Sequence, residues 1–362
     1  MPEKPIKGEK RYFMTGNEVV AYAAMAANAD IMYGYPITPQ NEIMHYWTRM
    51  APKYGKEFLQ TEDELSAGFT TIGGVLAGKK SFTATAGPGN TLMQEPISMA
   101  EAMRLPIVVV IQQRGGPSTA TVIYSQQEVT MTTIGGNGEG FRIVYSTATH
   151  QELFDYTIKA FNTAWKYRFP TFVLGDGYQA KMRESLTMYD PEERGIHLVP
   201  AEAYLGKPGT PGVDRPPGQY RNTYNVEEEL YEVVENLARD YNAIAPEVAE
   251  FESLAAGQSD LVVVSHGVVS RAVKEAVKEL REAGVDVGYF RPITLRPLPE
   301  KELRDVANKA KSLLLVESAN GQMARLIKEA TYGCKAEMIP LYKPGMGITA
   351  EEVAARVRSI LD

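Results

Sequence analysis

Apolar positions in the first half of the chain alternate between two rhythms. Segments 16–29, 40–50, 63–77, 90–103 and 150–167 place them three and four residues apart, the spacing of a helix with one buried face. Between them lie short runs rich in β-branched and aromatic residues, at 30–34, 57–60, 80–86, 106–112, 142–146 and 170–174. Helix and strand in turn predict a parallel sheet with helices on its faces.

The alternation returns after Asp260, with strands at 261–265, 286–290, 312–317 and 336–339. Helices at 268–283, 299–309 and 321–331 separate them, and a helix at 349–361 closes the chain. Between about 187 and 220, Pro, Gly and charge dominate, as in Lys207-Pro208-Gly209-Thr210-Pro211-Gly212 and Arg215-Pro216-Pro217-Gly218, and predict a connector. Val226 to Ala245 regains helical spacing behind an acidic start at Glu227 to Glu229, whose plainer reading is a solvated face. The expected fold class is α/β, with doubly wound domains at 1–186 and, smaller, at 257–362, joined by a linker and connecting helix across 187–256.

Composition narrows the function. Across 362 residues the formal net charge is -7 and the pI about 5.4, which leaves no basic surface for a nucleic acid. Apolar runs such as Leu105 to Ile111 fall far short of the ~20 residues that cross a bilayer. Met1 to Arg11 is polar and lysine-rich without the apolar stretch of a secretory signal, so a cytoplasmic location is expected. A single cysteine, Cys334, cannot hold a cluster, and the four histidines lack ligand spacing, so no metal site is expected within this chain.

Three segments follow predicted strands, where open α/β sheets place their ligands. In Tyr35-Pro36-Ile37-Thr38-Pro39-Gln40, two prolines stiffen the backbone around the Thr38 hydroxyl. The plainer reading makes Pro39 the first helical residue and Thr38 its N-cap. Leu59-Gln60-Thr61-Glu62-Asp63-Glu64 opens a helix carrying Ala67, Gly68, Gly73, Gly74, Ala77 and Gly78. Acids in a first turn usually only complement the helix dipole, but the small residues would let another surface close over one carboxylate and raise its pKa. Gln112-Gln113-Arg114-Gly115-Gly116-Pro117-Ser118-Thr119 sets a guanidinium at the sheet edge with unencumbered backbone around it, a fork for a carboxylate, or else a surface arginine on a turn. A fourth segment, Ala86-Gly87-Pro88-Gly89-Asn90, is a strand-to-helix turn that permits close approach of a ligand but lacks the lysine of a phosphate-binding loop.

Together with Gly16-Asn17-Glu18, Lys79 to Thr85 and Met93-Gln94-Glu95, these segments resemble the alpha-type subunit of the 2-oxoacid:ferredoxin oxidoreductases, a thiamine-diphosphate family. The likeness spans the first domain and extends to Tyr289-Phe290-Arg291-Pro292-Ile293 and Val316-Glu317-Ser318, which resemble a transketolase C-terminal-like domain. It implies that the first domain binds the cofactor's pyrimidine, with Glu64 hydrogen-bonded to N1′ and Glu62 its competitor. Pro36, Ile37, Gly87, Pro88 and Gly89 would line the cofactor, while Arg114 and Thr38 would contact the 2-oxoacid. After Gly-Pro-Ser-Thr the family often continues Gly-Leu-Pro-Thr, whereas Ala120-Thr121-Val122-Ile123 stand here.

Gly175-Asp176-Gly177 looks like the start of a magnesium and diphosphate motif, but no asparagine occurs between Gly177 and Asn222 to complete the oxygen shell. It is expected to be a turn after the last strand. The resemblance therefore implies that a beta-type subunit holds the diphosphate and Mg²⁺, and a ferredoxin-like subunit the [4Fe-4S] clusters. A gamma-type chain, ferredoxin as electron acceptor, coenzyme A as co-substrate and a dimer of hetero-oligomers would complete the system. Among substrates, Thr-Glu-Asp-Glu leans toward 2-oxoglutarate, while Gln40 after Pro39 leans toward branched-chain 2-oxoacids; pyruvate is a further family substrate. A self-sufficient thiamine enzyme would need its own diphosphate motif, and a non-catalytic scaffold would need neither Glu64 nor Arg114.

Overall fold

The structure is a computed structural model that describes residues 5–206 and 220–362, so the Pro- and Gly-rich part, 207–218, of the connector expected at about 187–220 lies outside the described residues. In chain order the first half contains β1 (Lys10–Thr15), α1 (Gly16–Ala26), β2 (Ile31–Gly34), α2 (Asn41–Met50), β3 (Glu57–Gln60), α3 (Glu64–Leu76), β4 (Ser81–Thr85), α4 (Pro88–Leu92) and α5 (Gln94–Ala102). There follow β5 (Val108–Gln113), α6 (Val129–Ile134), β6 (Ile143–Ser146), α7 (His150–Tyr167), β7 (Thr171–Asp176), α8 (Gly177–Lys181) and β8 (Arg183–Met188). The second half contains α9 (Glu227–Val248), β9 (Phe251–Leu254), β10 (Leu261–Val264), α10 (Val269–Glu282), β11 (Gly288–Pro292), β12 (Thr294–Arg296), α11 (Glu300–Lys309), β13 (Ser312–Glu317), α12 (Gln322–Ala330), β14 (Glu337–Tyr342) and α13 (Ala350–Leu361).

The larger sheet has the order β12-β6-β7-β5-β4-β2-β3, parallel except at β12. Its double winding follows from the two-residue period of a strand. On β5, Val108 and Val110 join one core with α1, α2 and α7, while Val109 and Ile111 join the other with α3 and α5. The second sheet, β14-β13-β10-β11-β9, repeats this arrangement. Leu261 and Val263 face α10 and α13, whereas Val262 and Val264 face α11 and α12.

Several features depart from the sequence pattern. The segment 90–103 is two helices meeting at Met93, because Pro96 has no N–H to donate back to Leu92 and is accommodated only in the first turn of a new helix. β1, β8, β9 and β12 are strands the pattern omits; the first two form a separate antiparallel pair, β9 is an edge, and β12 is too short to show a period. The Gly175-Asp176-Gly177 segment ends β7 and opens α8, with the Gln179 N–H donating to Asp176 Oδ1 at 2.8 Å, so the expected turn is a helix start.

The two halves interlock. β12 pairs antiparallel with β6, so a strand from the second half completes the edge of the first sheet. Beside it, buried Arg291 makes a two-pronged pair with Glu152 at the start of α7, at 2.8 and 2.6 Å. Burial works against the ionised Glu152, but the guanidinium outweighs it and holds the carboxyl below the usual carboxylate range. Substituting Glu152→Gln leaves buried Arg291 with only the longer 3.6 Å contact to Glu252 as its ion pair and is expected to cost about 3 kcal/mol at neutral pH. Because the folded pKa is depressed, that difference is present above the ordinary carboxylate range and disappears as pH falls through the folded value, which denaturant titrations at several pH values will check.

Candidate active site

Four loops emerge side by side from the carboxyl ends of adjacent strands β5, β4, β2 and β3. They carry Arg114, Gly87 to Gly89, Pro36 to Thr38, and Thr61 to Glu64. The sheet order thus brings together every segment singled out in the sequence.

Glu64 is the first residue of α3. Asp63, not Glu64, caps that helix: its carboxylate accepts from the Ser66 N–H at 2.7 Å, and Glu64 turns inward to 4 % exposure. Glu62 stays on the surface, accepting from the Ser66 hydroxyl at 3.0 Å. Among the described residues no other side chain hydrogen-bonds the Glu64 carboxyl, which lies over Gly89; a Cβ built there would sit 2.4 Å from Glu64 Oε1 and 2.1 Å from Thr85 Oγ1. Burial pushes Glu64 above the usual carboxylate range, its own N–H pulls partly back, and the Asp63 charge adds to the rise.

Arg114 is buried, and its backbone is not unencumbered as the glycines suggested. Its Nε donates to the Thr121 carbonyl at 3.1 Å, one terminal nitrogen to the Thr38 carbonyl at 2.8 Å, and the other to the Thr119 carbonyl. Three of the five guanidinium N–H groups are so engaged, which leaves two for a ligand. The side chain crosses Gly87, whose φ of +55° and missing Cβ are both required, since a Cβ would lie 2.7 Å from Arg114 Cδ.

Thr38 is exposed and does not cap a helix: α2 begins at Asn41, and no side-chain cap is made at Gln40. The loop is braced instead by Asn17, which donates to the Pro39 carbonyl at 2.6 Å, and by Gln40, which donates to the Tyr35 carbonyl at 2.9 Å. Pro36 is exposed and Ile37 half-buried on the same loop, and Pro88 stands partly exposed beside Gly89. The small residues of α3 divide: Gly68 and Gly74 pack inward on Pro96 and on Ser81 with Tyr33, whereas Gly73 and Ala77 face outward with Leu65 and Phe69.

Sequence reasoning missed Glu128. This buried carboxylate accepts from the Gly87 N–H at 2.7 Å, the Arg114 N–H at 2.8 Å and the Asn90 amide at 3.2 Å, tying two of the loops together. Burial pushes it up to about 7, although those N–H groups and the Arg114 charge favour its ionised form. No local pattern around Ser125-Gln126-Gln127 marks it. Among the described residues no group of three or more acidic, His or Cys side chains could hold a metal ion, and no helix is long and apolar enough to cross a membrane.

This fold and loop edge define an α/β protein with a candidate ligand site at the carboxyl ends of its parallel strands. Residues 22–253 match the family described as pyruvate flavodoxin/ferredoxin oxidoreductase, thiamine diphosphate-binding, and residues 259–353 match pyruvate:ferredoxin oxidoreductase core domain II. The chain belongs to the 2-oxoacid:ferredoxin oxidoreductase family and is similar to its alpha-type subunits. It is 34% identical to the 2-oxoglutarate synthase subunit KorA of Methanothermobacter thermautotrophicus over 354 residues, covering 91% of this chain and 94% of that one. It is 33% identical over 348 residues to the ketoisovalerate oxidoreductase subunit VorB of Methanothermobacter marburgensis, covering 95% and 96%. A solved 2-oxoglutarate:ferredoxin oxidoreductase from Magnetococcus marinus, with 2-oxoglutarate, coenzyme A and succinyl-CoA bound, superposes with a TM-score of 0.86 at 27% identity. That match covers 97% of this chain, which spans 65% of the Magnetococcus chain.

The residues present fit the pyrimidine half of the cofactor: a buried Glu64 whose carboxyl no other side chain among the described residues hydrogen-bonds, beside a glycine that keeps its surroundings open. Gly89→Ala is expected to displace Glu64 and to raise the thiamine diphosphate concentration that half-saturates the apo complex at least about tenfold, as measured by reconstitution.

Proposed function

We propose that this chain supplies the pyrimidine side of a shared active site that converts a 2-oxoacid and coenzyme A to acyl-CoA and CO2 with reduction of ferredoxin. Buried Glu64, whose carboxyl no other side chain among the described residues hydrogen-bonds, carries the reading. Thiamine diphosphate, when bound, supplies the carbon nucleophile and the electron sink for decarboxylation. Glu64 holds a proton at its carboxyl and shares it with ring nitrogen N1′, the state that its raised pKa favours. Arg114 directs its two uncommitted N–H groups at the substrate carboxylate, and the Thr38 hydroxyl reaches the carboxylate or ketone oxygen. Pro36, Ile37 and the Gly87-Pro88-Gly89 turn shape the wall against the cofactor.

The remaining parts belong to other chains. A beta-type subunit holds the diphosphate and Mg²⁺, a ferredoxin-like subunit holds [4Fe-4S] clusters, and a gamma-type chain joins them in a dimer of hetero-oligomers in the cytoplasm. The exposed apolar residues Leu59, Leu65, Phe69 and Leu92 around the Glu64 edge suit a face that a partner covers. We favour 2-oxoglutarate as substrate; the near-equal likeness to a ketoisovalerate subunit makes branched-chain 2-oxoacids the second reading.

In the purified complex, Glu64→Gln is expected to lower turnover roughly 10²- to 10⁴-fold with assembly intact, measured by ferredoxin or viologen reduction. Wild-type turnover would reduce the chain to a scaffold. In the same assay a panel of 2-oxoacids is expected to rank 2-oxoglutarate first by kcat/KM, and a branched-chain acid at the top would reassign the substrate.

A further inference from the structure

The carboxyl edge of the second sheet does not face solvent but grips the segment that leads to Glu128. Gln126 is held on three sides: its N–H donates to the Ser318 carbonyl at 3.0 Å, its side-chain oxygen accepts from the Ser318 N–H at 2.9 Å, and its side-chain amide donates to the His266 carbonyl at 2.7 Å. Gln322 spans the next residues, donating to the Gln127 carbonyl at 2.8 Å and accepting from the Thr130 N–H at 2.9 Å. Glu317 fixes where Gln322 stands, because its carboxylate accepts the Met323 and Ala324 N–H groups at the start of α12. Gly267, at φ +55°, leaves room for Gln126; a Cβ there would lie 2.9 Å from its amide nitrogen.

Two residues beyond Gln126 lies Glu128, whose oxygens hold the N–H groups of Gly87 and Arg114. Hydrogen bonds from the second domain thus fix the backbone on both sides of Glu128, and the Glu128 carboxylate in turn holds the N–H of the residue proposed to bind the 2-oxoacid. We propose that Gln126, Gln322 and Glu128 are positioning residues through which the second domain sets Arg114 against its substrate. None of the three is required to touch substrate or cofactor; each acts through the backbone of the Arg114 and Gly87 loops.

This proposal rests on the substrate role of Arg114 given above, and the test separates the two. In the assembled complex, Gln322→Ala and Glu128→Gln are each expected to raise KM for the 2-oxoacid about tenfold while leaving kcat within about twofold. The half-saturating concentration of coenzyme A should not move, which general loosening of the fold would not spare. Arg114→Lys should raise the same KM, and adding Gln322→Ala to Arg114→Lys should raise it little further, because both act on one contact. Gln322→Glu, which keeps the acceptor for Thr130, should recover part of the loss. If Arg114→Lys raises KM but Gln322→Ala and Glu128→Gln match wild type, or if their effects add fully to that of Arg114→Lys, the positioning role is overturned alone. A wild-type KM in Arg114→Lys overturns the arginine reading and the positioning role with it.

Discussion

A carboxyl on an almost fully buried side chain, with no other side chain among the described residues to hydrogen-bond it, is the constraint around which the candidate site is built. Burying an ionised carboxylate is costly, so such a group answers by retaining its proton. Burial pushes Glu64 in that direction; it turns inward because Asp63 takes the capping role at the start of α3, while Gly89 supplies a wall without a side chain. Glu128, on the far side of the Gly87 turn's hydrogen bonds, is buried too but accepts three N–H bonds. One acid is satisfied and structural, and the other is unsatisfied and available. Their surroundings, not their chemistry, divide the work.

Much of the fold was legible in the sequence because buried parallel strands read as short apolar runs between helical periods. Val108 to Ile111 is such a run, and it forms the central strand with alternate residues in two cores. The site was legible for a related reason: Thr38, Glu64 and Arg114 each follow a strand, and adjacent parallel strands deliver their loops to one edge. The choice between Glu62 and Glu64 was not legible, since both suit a first helical turn; only the cap at Asp63 turns one outward and the other inward.

What the pattern omitted depends on contacts far apart in the chain. β12 is three residues long and exists because β6 offers it an edge. The Thr119 and Thr121 carbonyls that occupy Arg114 come from a loop that folds back on itself, and the grip of Gln126 on Ser318 bridges nearly two hundred residues. Neither leaves a period or a motif behind. Both kinds of contact join residues that only the folded chain brings together.

The most direct measurement is a structure of the assembled complex with thiamine diphosphate bound. The account predicts a carboxyl oxygen of Glu64 about 2.6–3.2 Å from a nitrogen of the pyrimidine ring, with Arg114 and Thr38 facing the reacting carbon from the same side. A Glu64 side chain turned to solvent, or engaged by a partner residue while the pyrimidine lies elsewhere, would contradict it.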